Sequence, residues 1–307
     1  MRPIWLLVAL LLVVTACSDS ATDPVEVTGT TTATTTTTAT TSPTTTTTTV
    51  ATTTTTTTTA ATMGIPYTVD SGRKLDVYTP SEPGPWPVVV VVHGFFQGKF
   101  SFAPLAEAIA SEGAVVFNIG VEMSIPFLTA IEEVACAVRF SRAMAGDYGG
   151  DETRITLIGN SAGAATGAMV AMAGDDFAGD CVVTEGSALV DALVGYEGPY
   201  DWATHNYELV NLPALREDDP ELWETVNPYS HIGGNPDLVV RLIHGDDTVA
   251  VGYEVPRQVS VEFHQALAEA GYDVELTLLD GSHTDLEIPS SEAFEVAIQQ
   301  VLQVARG

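Results

Sequence analysis

From Lys74 onward, short apolar runs with strand character alternate with longer stretches whose apolar residues recur at helical spacing. Leu75-Asp76-Val77-Tyr78 reads as an edge strand, closed by Pro80 and the Pro/Gly cluster up to Pro87. Val88 to Val92 is unbroken valine, the pattern of a strand buried on both faces. A helix is predicted over Ala103–Glu112 and a strand over Ala114–Asn118. Leu128, Ile131, Val134, Ala135 and Val138 then share one face of a helix spanning Leu128–Ala145. Arg154–Ile158 reads as strand and Ala162–Ala173 as helix. Further strands are predicted near Asp191–Tyr196, Leu238–His244 and Val274–Leu279, with helices near Val255–Ala270 and Ser290–Val304. This alternation predicts the α/β class, with a mostly parallel central sheet and helices on both faces. Residues 197–236 interrupt the rhythm; rich in aromatics and proline, they read as a small cap or insertion over the sheet edge.

The N-terminal residues follow different rules. Arg2 precedes an apolar run from Ile4 to Ala16, which is too short for the roughly 20 residues that cross a bilayer. A basic start, a short apolar core and small residues before a cut site describe a secretory signal peptide over residues 1–16. Val14-Thr15-Ala16-Cys17 also resembles the lipobox of bacterial lipoproteins, which implies a mature chain beginning at a lipidated Cys17. The stretch to residue 62 is almost entirely Thr, Ala, Ser and Pro, with no apolar period to offset the entropy of ordering it. Residues 17–62 are therefore expected to form a lipidated, disordered stalk, and residues 63–307 the folded domain. The expected location is the outer face of the bacterial cell membrane.

Charge narrows the partners. With 11 Lys+Arg against 40 Asp+Glu the formal net charge is −29, which opposes nucleic acid and acidic substrates alike. A neutral small-molecule substrate fits better. Beyond Cys17 the chain has only Cys136 and Cys181; in an exported domain such a pair is expected to form a disulfide.

Open α/β sheets bind ligands at the carboxyl ends of their strands, so the residues there carry the chemistry. Val88–Val92 runs into His93-Gly94-Phe95-Phe96, and Arg154–Ile158 into Gly159-Asn160-Ser161-Ala162-Gly163. Leu238–Ile243 runs into His244-Gly245-Asp246-Asp247, and Val274–Leu279 into Asp280-Gly281-Ser282-His283. The second of these matches the Gly-x-Ser-x-Gly nucleophile elbow, where a strained serine leaves room for little but glycine two residues away on either side. On these motifs residues 67–307 resemble the α/β-hydrolases of the esterase and lipase type.

The resemblance implies a triad in the order serine, acid, histidine: Ser161 as nucleophile, Asp247 as the carboxylate with Asp246 as its alternative, and His283 as base. It further implies an oxyanion hole from the backbone N–H groups of Ala162 and Phe95, although Phe95-Phe96 stands where many relatives carry further glycines. His93 then has a structural role. Phe96, Tyr200 and Trp202 are expected to line the substrate pocket. The segments Glu197-Gly198-Pro199-Tyr200-Asp201 and Asn227-Pro228-Tyr229-Ser230 resemble parts of feruloyl- and acetyl-xylan-type esterases. His244, Asp246 and Asp247 lack the spacing of a metal site, and no cofactor is expected.

The function so implied is a serine carboxylesterase acting on neutral esters through an acyl-enzyme. A serine peptidase or lipase of the same fold is the alternative within the class, and a catalytically silent, surface-displayed binding domain the alternative outside it. The anchor is directly testable. Cys17→Ala is expected to release the protein from the membrane fraction or block its processing, read by fractionation and immunoblot; unchanged membrane association excludes the anchor.

Overall fold

The computed structural model describes residues 59–123, 126–201, 216–245 and 255–307. The signal segment, Cys17 and most of the threonine-rich stretch lie outside them. Among the described residues no helix is long and apolar enough to cross a membrane.

Eight strands form one sheet: β1 (Thr59–Pro66), β2 (Lys74–Pro80), β3 (Trp86–Val92), β4 (Val115–Ile119), β5 (Gly150–Asn160), β6 (Ala192–Tyr196), β7 (Val239–His244) and β8 (Asp273–Leu278). Their order is β1-β2-β4-β3-β5-β6-β7-β8. β2 pairs antiparallel with β1 and β4, and every pairing from β4 to β8 is parallel. Among the described residues six α-helices connect and cover the sheet: α1 (Ala103–Ser111), α2 (Phe127–Met144), α3 (Ala162–Ala173), α4 (Pro220–Thr225), α5 (Arg257–Glu269) and α6 (Glu292–Arg306).

The valine run explains the two layers. In β3, Val88, Val90 and Val92 enter the core formed with α2, α3 and α5, while Val89 and Val91 enter the one formed with α1 and α6. Alternate side chains of a strand point to opposite faces, so an all-valine strand joins both cores. At about 1.5–3 kcal/mol for each fully buried valine, β3 is a principal source of stability at the centre of the sheet.

Two readings of the sequence change here. β2 is not the edge strand: β1 lies outside it, pairing Thr59 with Pro80 and Pro66 with Lys74. The sheet thus starts at Thr59, ahead of the Met63 boundary read from composition. β1 has no clear apolar period, yet its β-branched Thr59, Thr62 and Ile65 suit an edge whose ladder supplies the order. The register shifts between Thr62 and Ile65, around Gly64 at φ 74°, and the Gly64 N–H donates to Asp76. Such a bulge also discourages further strands from pairing with the edge.

The second change concerns the insertion. Beyond residues 197–201, its described part runs over residues 216–236 and holds α4 and a 3-10 turn at Pro228–His231. It packs at the C-terminal end of α3, the end remote from Ser161: a Cβ on Gly234 would stand 2.4 Å from the Met172 carbonyl oxygen. Asn235 just beyond it donates to the carbonyls of Ala171 and Val190. Residues 202–215, including Trp202, lie outside the described residues.

Cys136 of α2 and Cys181 are joined in a disulfide, with Cα atoms 4.9 Å apart and a sequence separation of 45. The loop so closed contains β5 and α3, and therefore Ser161. On the loop-entropy model a closure of this length contributes about 4 kcal/mol. Replacing both cysteines by alanine is expected to lower unfolding stability by about 3–4 kcal/mol in urea titrations. Free thiols in the unreduced wild type would contradict the bridge.

Candidate active site

β5 ends at Asn160, and α3 begins two residues later at Ala162. Ser161 between them has φ 53° and ψ −122°, a conformation that a residue with a side chain adopts only under constraint. Space for the turn comes from the two glycines. A Cβ on Gly159 would lie 2.3 Å from the Gly163 carbonyl oxygen, and one on Gly163 only 2.4 Å from the His93 carbonyl oxygen. The Ser161 N–H donates to the Tyr196 carbonyl at 2.8 Å, fixing the turn to the end of β6. All twelve residues of α3 are buried, and small residues allow this: a Cβ on Gly167 would stand 2.4 Å from Leu157.

His283 follows β8, and its Nδ1 lies 2.5 Å from Oε2 of Glu197. Both side chains are about nine-tenths or more buried, at 10% and 6% exposure. The other Glu197 oxygen accepts the Gly245 N–H at 2.8 Å. A carboxylate on Nδ1 keeps that nitrogen protonated and leaves Nε2 to act as a base. Among the described residues, the carboxylate bonded to His283 is Glu197, at the end of β6; the sequence expectation was Asp247. Asp246 and Asp247 themselves lie outside the described residues.

Local backbone explains how Glu197 reaches so far. It has φ 47°, a second strained strand end beside Ser161, and its N–H donates to the Ile243 carbonyl on β7. A Cβ on Gly245 would meet Glu197 Oε1 at 2.5 Å and the Gly281 carbonyl oxygen at 2.6 Å. Gly245 thus clears the path across the end of β7 to the histidine loop. That loop is held by Tyr196, whose hydroxyl donates to the Ser282 carbonyl at 2.7 Å. Burial and the adjacent Glu197 push the Tyr196 phenol well above its ordinary pKa, so it remains a donor. Asp285 accepts from the Ser282 backbone and hydroxyl.

The turn after β3 lies against the elbow: a Cβ on Gly94 would stand 2.9 Å from the Ser161 Cβ. His93 is buried and bonded through both ring nitrogens. Nε2 accepts the Val121 N–H at 3.1 Å, so Nδ1 carries the proton and donates to the Gly94 carbonyl at 2.8 Å. Burial lowers its pKa and keeps the ring neutral. The carbonyl and N–H of a trans peptide point in opposite directions, so this bond turns the Phe95 N–H away from His93. At the other expected oxyanion donor, Ala162 opens α3, where a first-turn N–H has no intrahelical acceptor.

The pocket residues separate. Phe96 is 77% exposed on the turn after β3. Tyr200 is not a lining residue: it is fully buried and stacked on Phe263 of α5, with ring centroids 4.3 Å apart. Gly195 and Gly198 admit it, since a Cβ on either would collide with its ring or hydroxyl. His244 is also structural, with Nδ1 against the Ser260 hydroxyl and Nε2 against the Val255 carbonyl.

Sequence reasoning did not name Glu197 as a partner of His283, although its segment was singled out. The available signal was its place: a carboxylate at a strand end, between serine and histidine in chain order.

Comparison with known proteins agrees with this geometry. The family model described as BD-FAE matches residues 75–267. Esterase LipC of Mycobacterium tuberculosis is 27% identical over 264 residues, covering 76% of this chain and 64% of its own. Esterase LipQ of the same organism is 30% identical over 234 residues, covering 69% and 54% respectively. The chain thus spans less than two thirds of the length of either relative. Among solved structures, a truncated carbohydrate esterase from gut microbiota superposes with a TM-score of 0.69 at 21% identity, covering 82% of this chain and 98% of that one. A butyrate-bound esterase of Thermogutta terrifontis gives 0.64 at 20%, covering 79% and 92%. Sheet order and these neighbours establish the α/β-hydrolase fold.

Removing the carboxylate while keeping its shape tests the assignment. Glu197→Gln is expected to slow modification of Ser161 by a fluorophosphonate about 10³–10⁴-fold, by favouring the wrong histidine tautomer. The loss should exceed that of Asp247→Asn; the reverse order would return the role to Asp247.

Proposed function

The chain belongs to the BD-FAE family of α/β-hydrolase proteins, and from that membership we propose that it is a serine carboxylesterase acting on neutral esters. The observation that carries the proposal is the His283–Glu197 bond at 2.5 Å, with Glu197 following β6 and Ser161, held at φ 53°, following the neighbouring β5. A neutral imidazole with its Nδ1 proton engaged is the base a serine hydroxyl requires.

In this reading Ser161 Oγ attacks the ester carbonyl carbon while its proton passes to His283 Nε2. Glu197 stabilises the imidazolium without taking its proton. The carbonyl oxygen becomes an oxyanion and accepts from the N–H groups of Ala162 and Phe95. On collapse, the C–O bond to the alcohol breaks and His283 protonates the leaving alkoxide. Water then attacks the acyl-enzyme by the same route, releasing the carboxylic acid and Ser161. No cofactor takes part in these steps.

The preference for neutral esters is supported by the net charge of −29, which repels anionic substrates in solution. Esterase names among the relatives and neighbours support ester over amide hydrolysis. Export and anchoring through Cys17 belong to the same proposal and rest on the N-terminal residues alone.

A panel of p-nitrophenyl esters from acetyl to dodecanoyl, run beside peptide anilides, tests the reaction class. Wild type is expected to hydrolyse the esters and spare the anilides. Ser161→Ala and His283→Ala should each lower kcat by about 10⁴–10⁶, with the double variant hardly lower, because such groups act as a unit. Full esterase activity in Ser161→Ala would refute the serine mechanism, and inactivity of wild type toward every ester would refute the esterase.

A further inference from the structure

Gln97 is not part of any motif read from the sequence, yet its amide touches three separate pieces of the site. Oε1 accepts the Gly94 N–H at 2.7 Å and the Asn160 side-chain amide at 3.0 Å. Nε2 donates to Glu287 Oε1 at 2.5 Å. The partners leave no choice of orientation, since a backbone N–H only donates and a carboxylate only accepts. Gly94 belongs to the turn after β3, Asn160 precedes the nucleophile, and Glu287 follows His283 on the same loop. One side chain therefore ties together the turn that holds Phe95, the elbow that holds Ser161 and the loop that holds His283.

We propose that Gln97 is a positioning residue that sets the oxyanion turn against the nucleophile, with Glu287 as the anchor that holds it in place. The inference rests on the hydrolase reading above. Its logic is in the two peptides that flank Gly94. His93 Nδ1 holds the Gly94 carbonyl at 2.8 Å, and Gln97 holds the Gly94 N–H. With both polar groups of Gly94 engaged, the orientation of the Phe95 N–H is determined from two sides. The Gly94 N–H, already taken by Gln97, is not itself an oxyanion donor. The packing is as tight as the bonding: a Cβ on Gly94 would stand 2.8 Å from Gln97 Oε1. Through Asn160 the same amide fixes the distance between that turn and Ser161.

Losing an oxyanion donor outright costs 10²–10³ in kcat, so misaligning one should cost about 10–100-fold. Gln97→Leu is expected to lower kcat toward a short p-nitrophenyl ester by that factor, with KM changed less than about 3-fold. Affinity for an aryl boronic acid, which forms a tetrahedral adduct on the serine, should fall by the same factor as kcat/KM. Glu287→Leu should share part of the loss, and the double variant should be no worse than Gln97→Leu alone. Glu287→Gln should restore activity, because its carbonyl oxygen still accepts from Nε2. Thermal unfolding of each variant is followed alongside. Wild-type kcat in Gln97→Leu, a loss confined to KM, additive losses in the double variant, or no rescue by Glu287→Gln would each overturn the proposal while leaving the hydrolase reading intact. A wild type inactive toward every ester overturns both.

Discussion

A serine at φ 53° between a strand and a helix is the constraint around which this molecule is arranged. That conformation brings the backbone of Gly163 against Gly159 and presses the start of α3 onto the end of β3. The distances leave no room for a Cβ at either glycine. The strain is held by what surrounds it: a fully buried α3, a Ser161 N–H bonded to Tyr196, and a disulfide closing the segment that contains β5 and α3. Small residues after the serine therefore serve packing and chemistry at once, since close packing is what imposes the strained turn.

The partner carboxylate follows from the same sheet. β6 lies next to β5, so the residue after β6 emerges beside Ser161. Glu197 then has to cross the end of β7 to meet a histidine that follows β8. A long side chain, a positive φ and the absence of a side chain at Gly245 together make the crossing possible. Glutamate suits the task better than aspartate because its extra methylene supplies reach. The Gly245 N–H, donated to the second oxygen, fixes the angle of the carboxylate to the imidazole.

Neutral groups organise the other wall. His93 is kept uncharged by burial and Gln97 carries no charge, yet between them they engage both polar groups of Gly94. The Gln97 amide stands between the Glu287 carboxylate and the Gly94 turn, so that the group touching the turn is neutral. A chain so acidic overall gains from such an arrangement, because a further carboxylate at the oxyanion turn would oppose the charge that develops there.

Much of this was legible in the linear sequence, for reasons that are local. The valine run, the helical spacing after Leu128 and the Gly-Asn-Ser-Ala-Gly turn specify the alternating strands and helices, because periodicity reports which faces are buried. The places of Ser161 and His283 at strand ends could be read from the sequence, and the cysteine pair from its number. Other features are decided only by tertiary structure. Which carboxylate meets His283 depends on which strands are neighbours, and strand order is absent from local pattern. β1 took the edge from β2 because a short segment without an apolar period gains its order from the ladder it joins. Tyr200 left the cleft for the core because Gly195 and Gly198 open a space that only the folded chain creates. Gln97 gained its role in the same way: its three partners lie far apart in sequence, and it is the sheet that brings their strand ends together.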